Sequence, residues 1–386
     1  MTASDAWLTQ LTTPLLLIDE RKLNRNVRRL QQRMAALGCA LRPHLKTLRS
    51  LPAAERVIAN PQAPITVSTL AEAEAFVHAG YTDVLYAVGI TPLKLTRIAN
   101  LIQQGAKVHI LLDTLAQATA VYHYSQQHQV DFSVFIEIDC DDHRGGLSPE
   151  DPALIALANY LVAYPVNRHG PAITGLMTHA GGSYDTDSVS AIKQVAEAEC
   201  QAVRTAATKL AAVGIEPLML SVGSTPTAHF VDDLTGITEV RAGVYTTFDL
   251  VMQQLGVCAL DDIAMSVVTA VIGYNPEKNW LLIDAGWMAL SRDLGATRNA
   301  QEPSYGLVCD IAGQPLAADQ PIVVNGVNQE HGVIALPAAI RCEQFDIGQL
   351  LRILPNHACA TAAMHTHYHV ITETQAHEVW PRILGW

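Results

Sequence analysis

Short apolar runs alternate with amphipathic stretches through the first two thirds of the chain. The runs that predict strands lie at 41–46, 64–68, 83–88, 107–113, 132–139, 172–179, 217–222 and 236–241. The patterns that predict helices lie at 20–37, 71–79, 93–103, 115–127, 152–162 and 188–212. Strands and helices in this number and order predict an α/β protein with a (β/α)8 TIM-type barrel. The alternative is a doubly wound sheet, but no GxGxxG opening turn supports it.

After about residue 252 the pattern changes to short β-rich runs without long helices. These runs lie at 265–272, 280–283, 306–309, 321–324, 332–336, 350–354 and 368–371, and turn residues separate them. We therefore predict a barrel domain of residues 20–252 and a C-terminal all-β domain of residues 253–386. An N-terminal strand within residues 1–19 is expected to join the all-β domain.

Composition narrows the class of protein further. The net charge of −12 at pH 7 is not clustered, which argues against nucleic acid and against an anionic membrane surface. The seven cysteines are scattered without a CxxC pair, so we expect a reducing compartment rather than a disulfide framework. Neither a signal-peptide pattern nor an apolar run of about 20 residues is present. We therefore expect a cytoplasmic protein without membrane association.

The first candidate for chemistry is Lys46, in the segment 41–47 with the sequence LRPHLKT. It ends a predicted strand, and the chemistry of such barrels lies at the carboxyl ends of strands. An amine held out of bulk water there can lose its proton and form a Schiff base. The alternative is a surface lysine in an ordinary loop.

Two later strand ends indicate a phosphate site. The segment 223–227, GSTPT, offers backbone N–H groups and hydroxyls, and Gly243 lets the backbone of the next turn come close. A Schiff-base lysine and a phosphate site on one barrel face together indicate pyridoxal phosphate. Arg241 would then face the pyridine nitrogen, and His179 could stack on the ring. The alternatives are a plain turn, a salt-bridged arginine and a core histidine.

The all-β domain carries a candidate metal motif, His357 and Cys359, in the segment PNHACAT at 355–361. On an extended segment these two side chains share one face, and both ligand types suit zinc. Two protein ligands leave coordination positions open, as a catalytic metal site requires. Three nearby histidines could add ligands but are expected to face the surface: His365, His367 and His369.

A further polar cluster, NQEHG at 328–332, contains Glu330 and His331. These two residues are candidates for a catalytic proton relay. The alternative is a charged hairpin turn.

Taken together, these motifs resemble pyridoxal phosphate enzymes of fold type III, whose barrel is alanine racemase-like and is followed by a β-domain. Within them, the chain resembles the metal-dependent D-serine dehydratase and D-threonine aldolase branch, over nearly its whole length. The resemblance rests on the segments 42–47, 223–227, 241–245, 329–332, 355–361 and 380–386.

The resemblance implies roles for individual residues. Lys46 would carry the cofactor as a Schiff base and act as the base at the α-carbon. His179 and Arg241 would contact the ring, and Arg144, Thr178 and Tyr184 would lie close to the cofactor. The phosphate would be held by Gly223, Ser224, Thr225, Gly243 and Tyr245.

The branch of the family depends on the metal motif. Dehydratases resemble this chain in carrying His-x-Cys, whereas the aldolases carry aspartate at the second position, so Cys359 favours dehydration. We therefore expect β-elimination of water from D-serine, D-threonine or D-threo-3-hydroxyaspartate, giving a 2-oxo acid and ammonia. The expected metal is Zn²⁺, with Mn²⁺ or Mg²⁺ as alternatives, and the expected assembly is a homodimer. The main alternative is a D-threonine aldolase; less favoured are a racemase, a cofactor-binding protein without turnover, and a zinc hydrolase.

Overall fold

The computed structural model describes residues 7–8, 10–142, 144–163, 169–216, 219–295, 304–317 and 319–386. The chain forms two compact units. One consists of Arg28–Gly243 with Ile383–Trp386, and the other of Met1–Val27 with Val244–Arg382.

The strands, in chain order, are β1 (Leu15–Asp19), β2 (Ala40–Pro43), β3 (Ile65–Val67), β4 (Asp83–Gly89), β5 (Lys107–Leu112), β6 (Phe132–Glu137), β7 (Pro171–Met177), β8 (Met219–Val222), β9 (Glu239–Ala242), β10 (Met265–Asn275), β11 (Trp280–Ile283), β12 (Leu307–Cys309), β13 (Gly326–Val327), β14 (Gly332–Ala335), β15 (Leu350–Leu354), β16 (His367–Ile371) and β17 (His377–Pro381). The α-helices are α1 (Glu20–Ala36), α2 (Leu51–Val57), α3 (Leu70–His78), α4 (Leu95–Gln103), α5 (Leu115–His128), α6 (Pro152–Val162), α7 (Val189–Ala212), α8 (Thr225–Phe230), α9 (Leu250–Gln254), α10 (Trp287–Leu290) and α11 (Ala358–Ala363).

The first unit is a nearly closed barrel of eight parallel strands within the described residues, in the order β2-β9-β8-β7-β6-β5-β4-β3. Its two ends meet where His44 forms an isolated parallel bridge with Thr66. Part of the interior is apolar, where Leu85, Leu111, Phe135 and Met177 pack together. The barrel predicted from the alternation of strands and helices is therefore confirmed.

Local sequence explains why the helices begin where they do. Thr69 and Glu72 form a capping box at α3, and Thr114 and Gln117 form one at α5. Two barrel helices were not predicted, α2 and α8. Both are shorter than two and a half turns, so neither can show an apolar periodicity. Each has a proline in its first turn instead, which is compatible with a helix start.

The second unit is a mostly stranded structure built around one sheet path, β13-β14-β11-β10-β1-β16-β17. Off this path, β15 pairs with β10, and β12 pairs with β15. The N-terminal strand β1 pairs antiparallel with β10 and parallel with β16. The N-terminal strand therefore lies within the sheet of the second unit. The predicted strand at 321–324 is reduced to a single bridge between Leu307 and Val323, and β17 was not predicted.

Among the described residues, no helix is both long and apolar enough to span a bilayer.

Candidate active site and metal motif

Lys46 lies in the turn that follows β2. The strand ends at Pro43, after which His44 and Leu45 turn towards Thr66 and Leu45 N donates to Thr66 O at 2.9 Å. The predicted strand at 41–46 was therefore too long, because the chain leaves β9 at this point. Lys46 is exposed to solvent in the single chain. The expectation that its amine lies out of bulk water is therefore wrong for the isolated chain. A turn at a strand end does not bury its side chains as the strand does.

Two histidines are close enough to Lys46 to respond to its charge. Burial, and then the charge of Lys46, lower the pKa of His179 to about 3. The same two causes lower the pKa of His44 well below its ordinary value. His179 Nδ1 lies 3.1 Å from Gly223 O, which fixes the ring beside the next strand end. Both imidazole rings are therefore uncharged at pH 7.

Arg241, on β9, belongs to the same cluster, because its charge also acts on His44 and His179. Its Nη1 donates to Ser221 Oγ at 2.6 Å, and its Nη2 donates to the carbonyl of Thr178. Burial lowers the pKa of Arg241 to about 10, which leaves the guanidinium charged at neutral pH. A fixed cation is therefore held at the carboxyl end of the barrel strands.

The predicted phosphate turn begins at Gly223, whose φ is +131°. A Cβ added there would lie 2.3 Å from Arg241 O, so only glycine fits this close approach of two strands. Ser224 then caps α8, and its Oγ accepts from Thr227 N. Thr225 is buried, and its Oγ1 has no hydrogen-bond partner among the described residues. Such an unsatisfied hydroxyl fits a site for a phosphate oxygen.

Three further candidates from the sequence surround this turn. Tyr184 lies with its ring centroid 6.4 Å from that of His179, and its hydroxyl accepts from Thr225 N at 3.4 Å. Thr178 is buried and donates through Oγ1 to Glu199 Oε1 at 3.3 Å. Arg144 is exposed and donates to Glu137 Oε1 at 3.1 Å, while its charge also acts on His179.

Gly243 and Tyr245 end the row of phosphate candidates. A Cβ added at Gly243 would lie 3.0 Å from His44 O, so this glycine allows the end of β9 to approach the segment that carries Lys46. Tyr245, described within the second unit, is fully buried, and its hydroxyl has no hydrogen-bond partner among the described residues. Burial raises the pKa of Tyr245 above its ordinary value, so its hydroxyl remains a proton donor.

Glu199 was missed by sequence reasoning, although it holds several of these segments together. From α7, its Oε1 accepts from Gly223 N at 2.8 Å and from Ala180 N at 3.1 Å. Its Oε2 accepts from Thr227 Oγ1 at 2.9 Å. Burial raises the pKa of Glu199 even though these donors oppose the shift. A glutamate on the apolar face of a long helix is the sequence signal that could have identified it.

The metal motif lies at the start of α11 in the second unit. His357 is the N-cap residue with extended backbone, whereas Cys359 lies inside the helix. The prediction that both residues share one face of an extended segment is therefore wrong. The cause is a buried carboxylate, because Asp249 Oδ2 accepts from Ala358 N at 2.9 Å and so supports the start of a helix.

A second carboxylate fixes the orientation of the imidazole. Asp293 Oδ2 lies 2.6 Å from His357 Nδ1, which leaves Nε2 as the nitrogen available to a ligand. Burial would lower the pKa of His357, but hydrogen bonds to Asp293 and Cys359 outweigh it and raise the pKa to about 11. Imidazole nitrogen and thiol sulfur thus lie together, a donor pair suited to a transition metal. Among the described residues, no group of three or more His, Cys, Asp and Glu side chains is arranged to hold a metal ion.

Glu330 and His331 are exposed at the turn between β13 and β14. Asn328 N donates to His331 O at 2.8 Å, which closes this turn.

The histidines that follow the metal motif in the sequence were the other candidate ligands. Two of their contacts are with histidines: His367 Nε2 lies 3.2 Å from His369 Nε2, and His369 Nδ1 lies 2.9 Å from His377 Nε2. His365 instead contacts Ala289 O at 2.9 Å.

Comparison with known proteins assigns the family. Residues 18–250 match the family model described as "Alanine racemase, N-terminal domain", and residues 264–371 match the one described as "Putative serine dehydratase domain". A D-threo-3-hydroxyaspartate dehydratase from Delftia sp. (strain HT23) is 43% identical over 384 residues, 98% of this chain and 99% of that protein. A D-serine dehydratase from Dictyostelium discoideum is 30% identical, over 94% of each chain.

Solved structures agree with this assignment. An alanine racemase-like protein from Idiomarina loihiensis has a TM-score of 0.94 and 56% identity, with 98% of this chain and 99% of that chain covered. A cysteine-to-alanine mutant of D-threo-3-hydroxyaspartate dehydratase, in the metal-free form, has a TM-score of 0.92 with 43% identity and the same coverage. D-threonine aldolase from Arthrobacter sp. is more distant, at 26% identity over 97% of this chain. The chain therefore belongs to the alanine racemase-like, pyridoxal phosphate-dependent enzymes of fold type III, and within them to the dehydratases, which are lyases. This confirms the resemblance expected from the sequence.

Proposed function

We propose that this enzyme binds pyridoxal phosphate and a divalent metal ion and eliminates water from a D-3-hydroxy amino acid, giving a 2-oxo acid and ammonia. The observation that carries the proposal is the cluster in the barrel where Lys46 and Arg241 lie close enough to the imidazoles of His44 and His179 for their positive charges to help hold both imidazoles neutral. The 43% identity to D-threo-3-hydroxyaspartate dehydratase supports that compound as the first substrate to test, ahead of D-serine and D-threonine.

The residues of the barrel fit pyridoxal phosphate. When bound, the cofactor withdraws electrons from the substrate and so acidifies the proton on the α-carbon. Lys46 would hold the cofactor through its amine and, once released, would take that proton. Arg241, as a fixed cation, would keep the ring nitrogen that it faces unprotonated, and His179 would lie against the ring.

The phosphate would be held by the turn after β8 and by the segment after β9. The buried hydroxyls of Thr225 and Tyr245 have no partner among the described residues, and a phosphate oxygen would satisfy either of them. Gly223, Ser224 and Gly243 would contribute the close backbone approach, and Tyr184 would donate its hydroxyl proton. Arg144 and Thr178 would complete the surroundings of the ring.

The metal would be held by His357 and Cys359. When bound, the metal acts as a Lewis acid that makes the 3-hydroxyl a better leaving group. Zinc is proposed because a thiolate is a soft ligand, with Mn²⁺ or Mg²⁺ as the alternatives. Glu330 and His331 are proposed to relay a proton to the departing hydroxyl. We further propose a homodimer in the cytosol, which light scattering and localisation of the tagged protein would test.

The preferred substrate is tested by product formation from D-threo-3-hydroxyaspartate with added pyridoxal phosphate and Zn²⁺. We expect oxaloacetate and ammonia in equal amounts, and pyruvate and ammonia from D-serine. Lys46→Ala should abolish both turnover and the visible absorption of the bound cofactor. Lys193→Ala, which changes a lysine paired with Asp232 on the barrel surface, is the control and should do neither. Normal turnover by Lys46→Ala would overturn the assignment.

A further inference from the structure

A buried chain of hydrogen bonds leads away from Arg241 into the barrel. Arg241 Nη1 donates to Ser221 Oγ at 2.6 Å, and Ser221 Oγ in turn donates to Glu239 Oε1 at 2.6 Å. The other carboxylate oxygen, Glu239 Oε2, accepts from Arg42 Nε at 2.8 Å. The strand register makes this arrangement local, since Arg42 pairs with Arg241 and Ser221 pairs with Glu239.

The chain continues across the barrel. Arg42 Nη1 donates to Asp83 Oδ1 at 2.6 Å, and His109 Nε2 lies 3.3 Å from the same oxygen. His109 Nδ1 then lies 2.5 Å from Ser133 Oγ. The polar side chains therefore form one connected series from β9 to β6.

This series is unusual for the inside of a barrel, which apolar side chains normally fill. Arg42 and Glu239 are each 1% exposed, Ser221 is fully buried, and Arg241 is 4% exposed. Burying charged pairs costs desolvation energy that their attraction only partly returns, so such pairs are weak evidence for a stabilising role. Their arrangement around Arg241 suggests a role in the site instead.

Which group donates and which accepts in these hydrogen bonds indicates how the series acts on Arg241. A serine hydroxyl has one proton, and here the carboxylate of Glu239 accepts it. Ser221 Oγ can therefore act only as an acceptor towards Arg241. With Nη2 held by the carbonyl of Thr178, both terminal nitrogens of the guanidinium are tethered, and its plane has one orientation.

We propose that Ser221 is a positioning residue, oriented by Glu239, which fixes the guanidinium of Arg241 against the ring nitrogen of the cofactor. Arg241 faces that ring only in the proposed function above, on which this inference rests. Without the Ser221 hydroxyl, Nη1 loses its acceptor and the guanidinium can rotate about its remaining contact. A small displacement of this kind weakens its influence on the ring nitrogen and slows turnover.

The test is Ser221→Ala in the holoenzyme, with the absorbance of the bound cofactor titrated against pH. We expect the titration midpoint to move by at least about half a pH unit, and kcat to fall about tenfold with KM little changed. Ser221→Cys, which has nearly the size of serine but is a weaker acceptor, gives the same test if the alanine variant does not fold. Ser133→Ala changes a serine of the same series that is hydrogen-bonded to His109, so it is the matched control and should leave the titration unchanged.

A further variant, Arg241→Lys, distinguishes the role proposed for Ser221 from the role proposed for Arg241. If Arg241→Lys moves the titration and Ser221→Ala and Ser221→Cys do not, Ser221 is not a positioning residue, while the proposed function stands. If Arg241→Lys also leaves the titration unchanged, or the wild-type protein binds no pyridoxal phosphate, the proposed role of Arg241 is wrong as well.

Discussion

Gly223 N donates to Glu199 Oε1 over 2.8 Å, so a buried glutamate of helix α7 holds the turn that precedes α8. The same carboxylate accepts from Ala180 N and from Thr227 Oγ1, and thereby joins the segments after β7 and β8. The candidate site therefore depends on Glu199, although this side chain is not itself proposed to contact a ligand.

Glu199→Gln should weaken both the fold and the binding of the cofactor. The glutamine side chain keeps one acceptor oxygen, but an NH2 group replaces the other oxygen. Some of the buried N–H and O–H groups that now donate to Glu199 would therefore lose their acceptor. We expect the free energy of unfolding to fall by about 1–3 kcal/mol, measured by urea denaturation. The dissociation constant of pyridoxal phosphate, measured by fluorescence, should rise. Glu197→Gln on the exposed face of the same helix is the control, and an equal effect of the two changes would contradict this account.

Cys359→Ala should remove the metal without removing the cofactor. The thiolate is one of only two proposed protein ligands, so metal content measured on the purified protein should fall to near zero. The visible absorption of bound pyridoxal phosphate should persist while elimination is lost. Cys258→Ala changes a cysteine of similar half-buried exposure outside the motif, and it should retain metal and activity. Full metal content in Cys359→Ala would show that other residues form the site.

Asp293→Asn should weaken metal binding by about 10–100-fold, because outer carboxylates orient and strengthen ligating histidines. The carboxylate lies 2.6 Å from His357 Nδ1, and an asparagine amide at this position cannot reproduce its charge. Competition with a chromogenic chelator measures the change. Asp346→Asn alters an exposed aspartate on the surface and serves as the control. Unchanged affinity in Asp293→Asn would mean that this contact does not support the ligand.

Acid should destabilise the second unit through its histidine cluster. Burial, and then the charges of His367 and His377, lower the pKa of His369 to about 4. The unfolded chain takes up a proton at this residue below about pH 6.5, whereas the folded chain does so only near pH 4. The contribution of His369 to the free energy of unfolding should therefore be complete above pH 6.5 and be lost as the pH falls from 6.5 towards 4.

Thermal unfolding followed across this range measures the effect. His369→Gln should flatten the decrease in Tm with falling pH, while His123→Gln on the exposed surface of α5 should not. Parallel curves for His369→Gln and the wild-type protein would contradict the role of the cluster.

The sequence predicted the order of the barrel elements because apolar periodicity persists over long segments. It predicted α6 with its observed bounds, since Asp151 caps the helix and Pro152 begins it. Short elements were missed, as with α2 and β17, because too few residues carry the pattern.

The candidate site was predicted less completely. Lys46, His179 and Arg241 stand at strand ends and could be read in chain order, and the structure brings them together. Asp293 lies 64 residues before His357, so only the folded chain shows their contact. Cys359 was placed on an extended segment because the capping carboxylate of Asp249 lies 109 residues away from Ala358. Long-range contacts of this kind leave no local pattern.

The chemistry of the enzyme is tested most directly with D-threonine, because the two reactions of the wider family give different products from it. The holoenzyme with Zn²⁺ is incubated with D-threonine, and the products are separated and identified. We predict 2-oxobutanoate and ammonia, the products of eliminating water and hydrolysing the resulting enamine. Glycine and acetaldehyde would instead establish cleavage between the α- and β-carbons, and would contradict the assignment of this chain as a dehydratase.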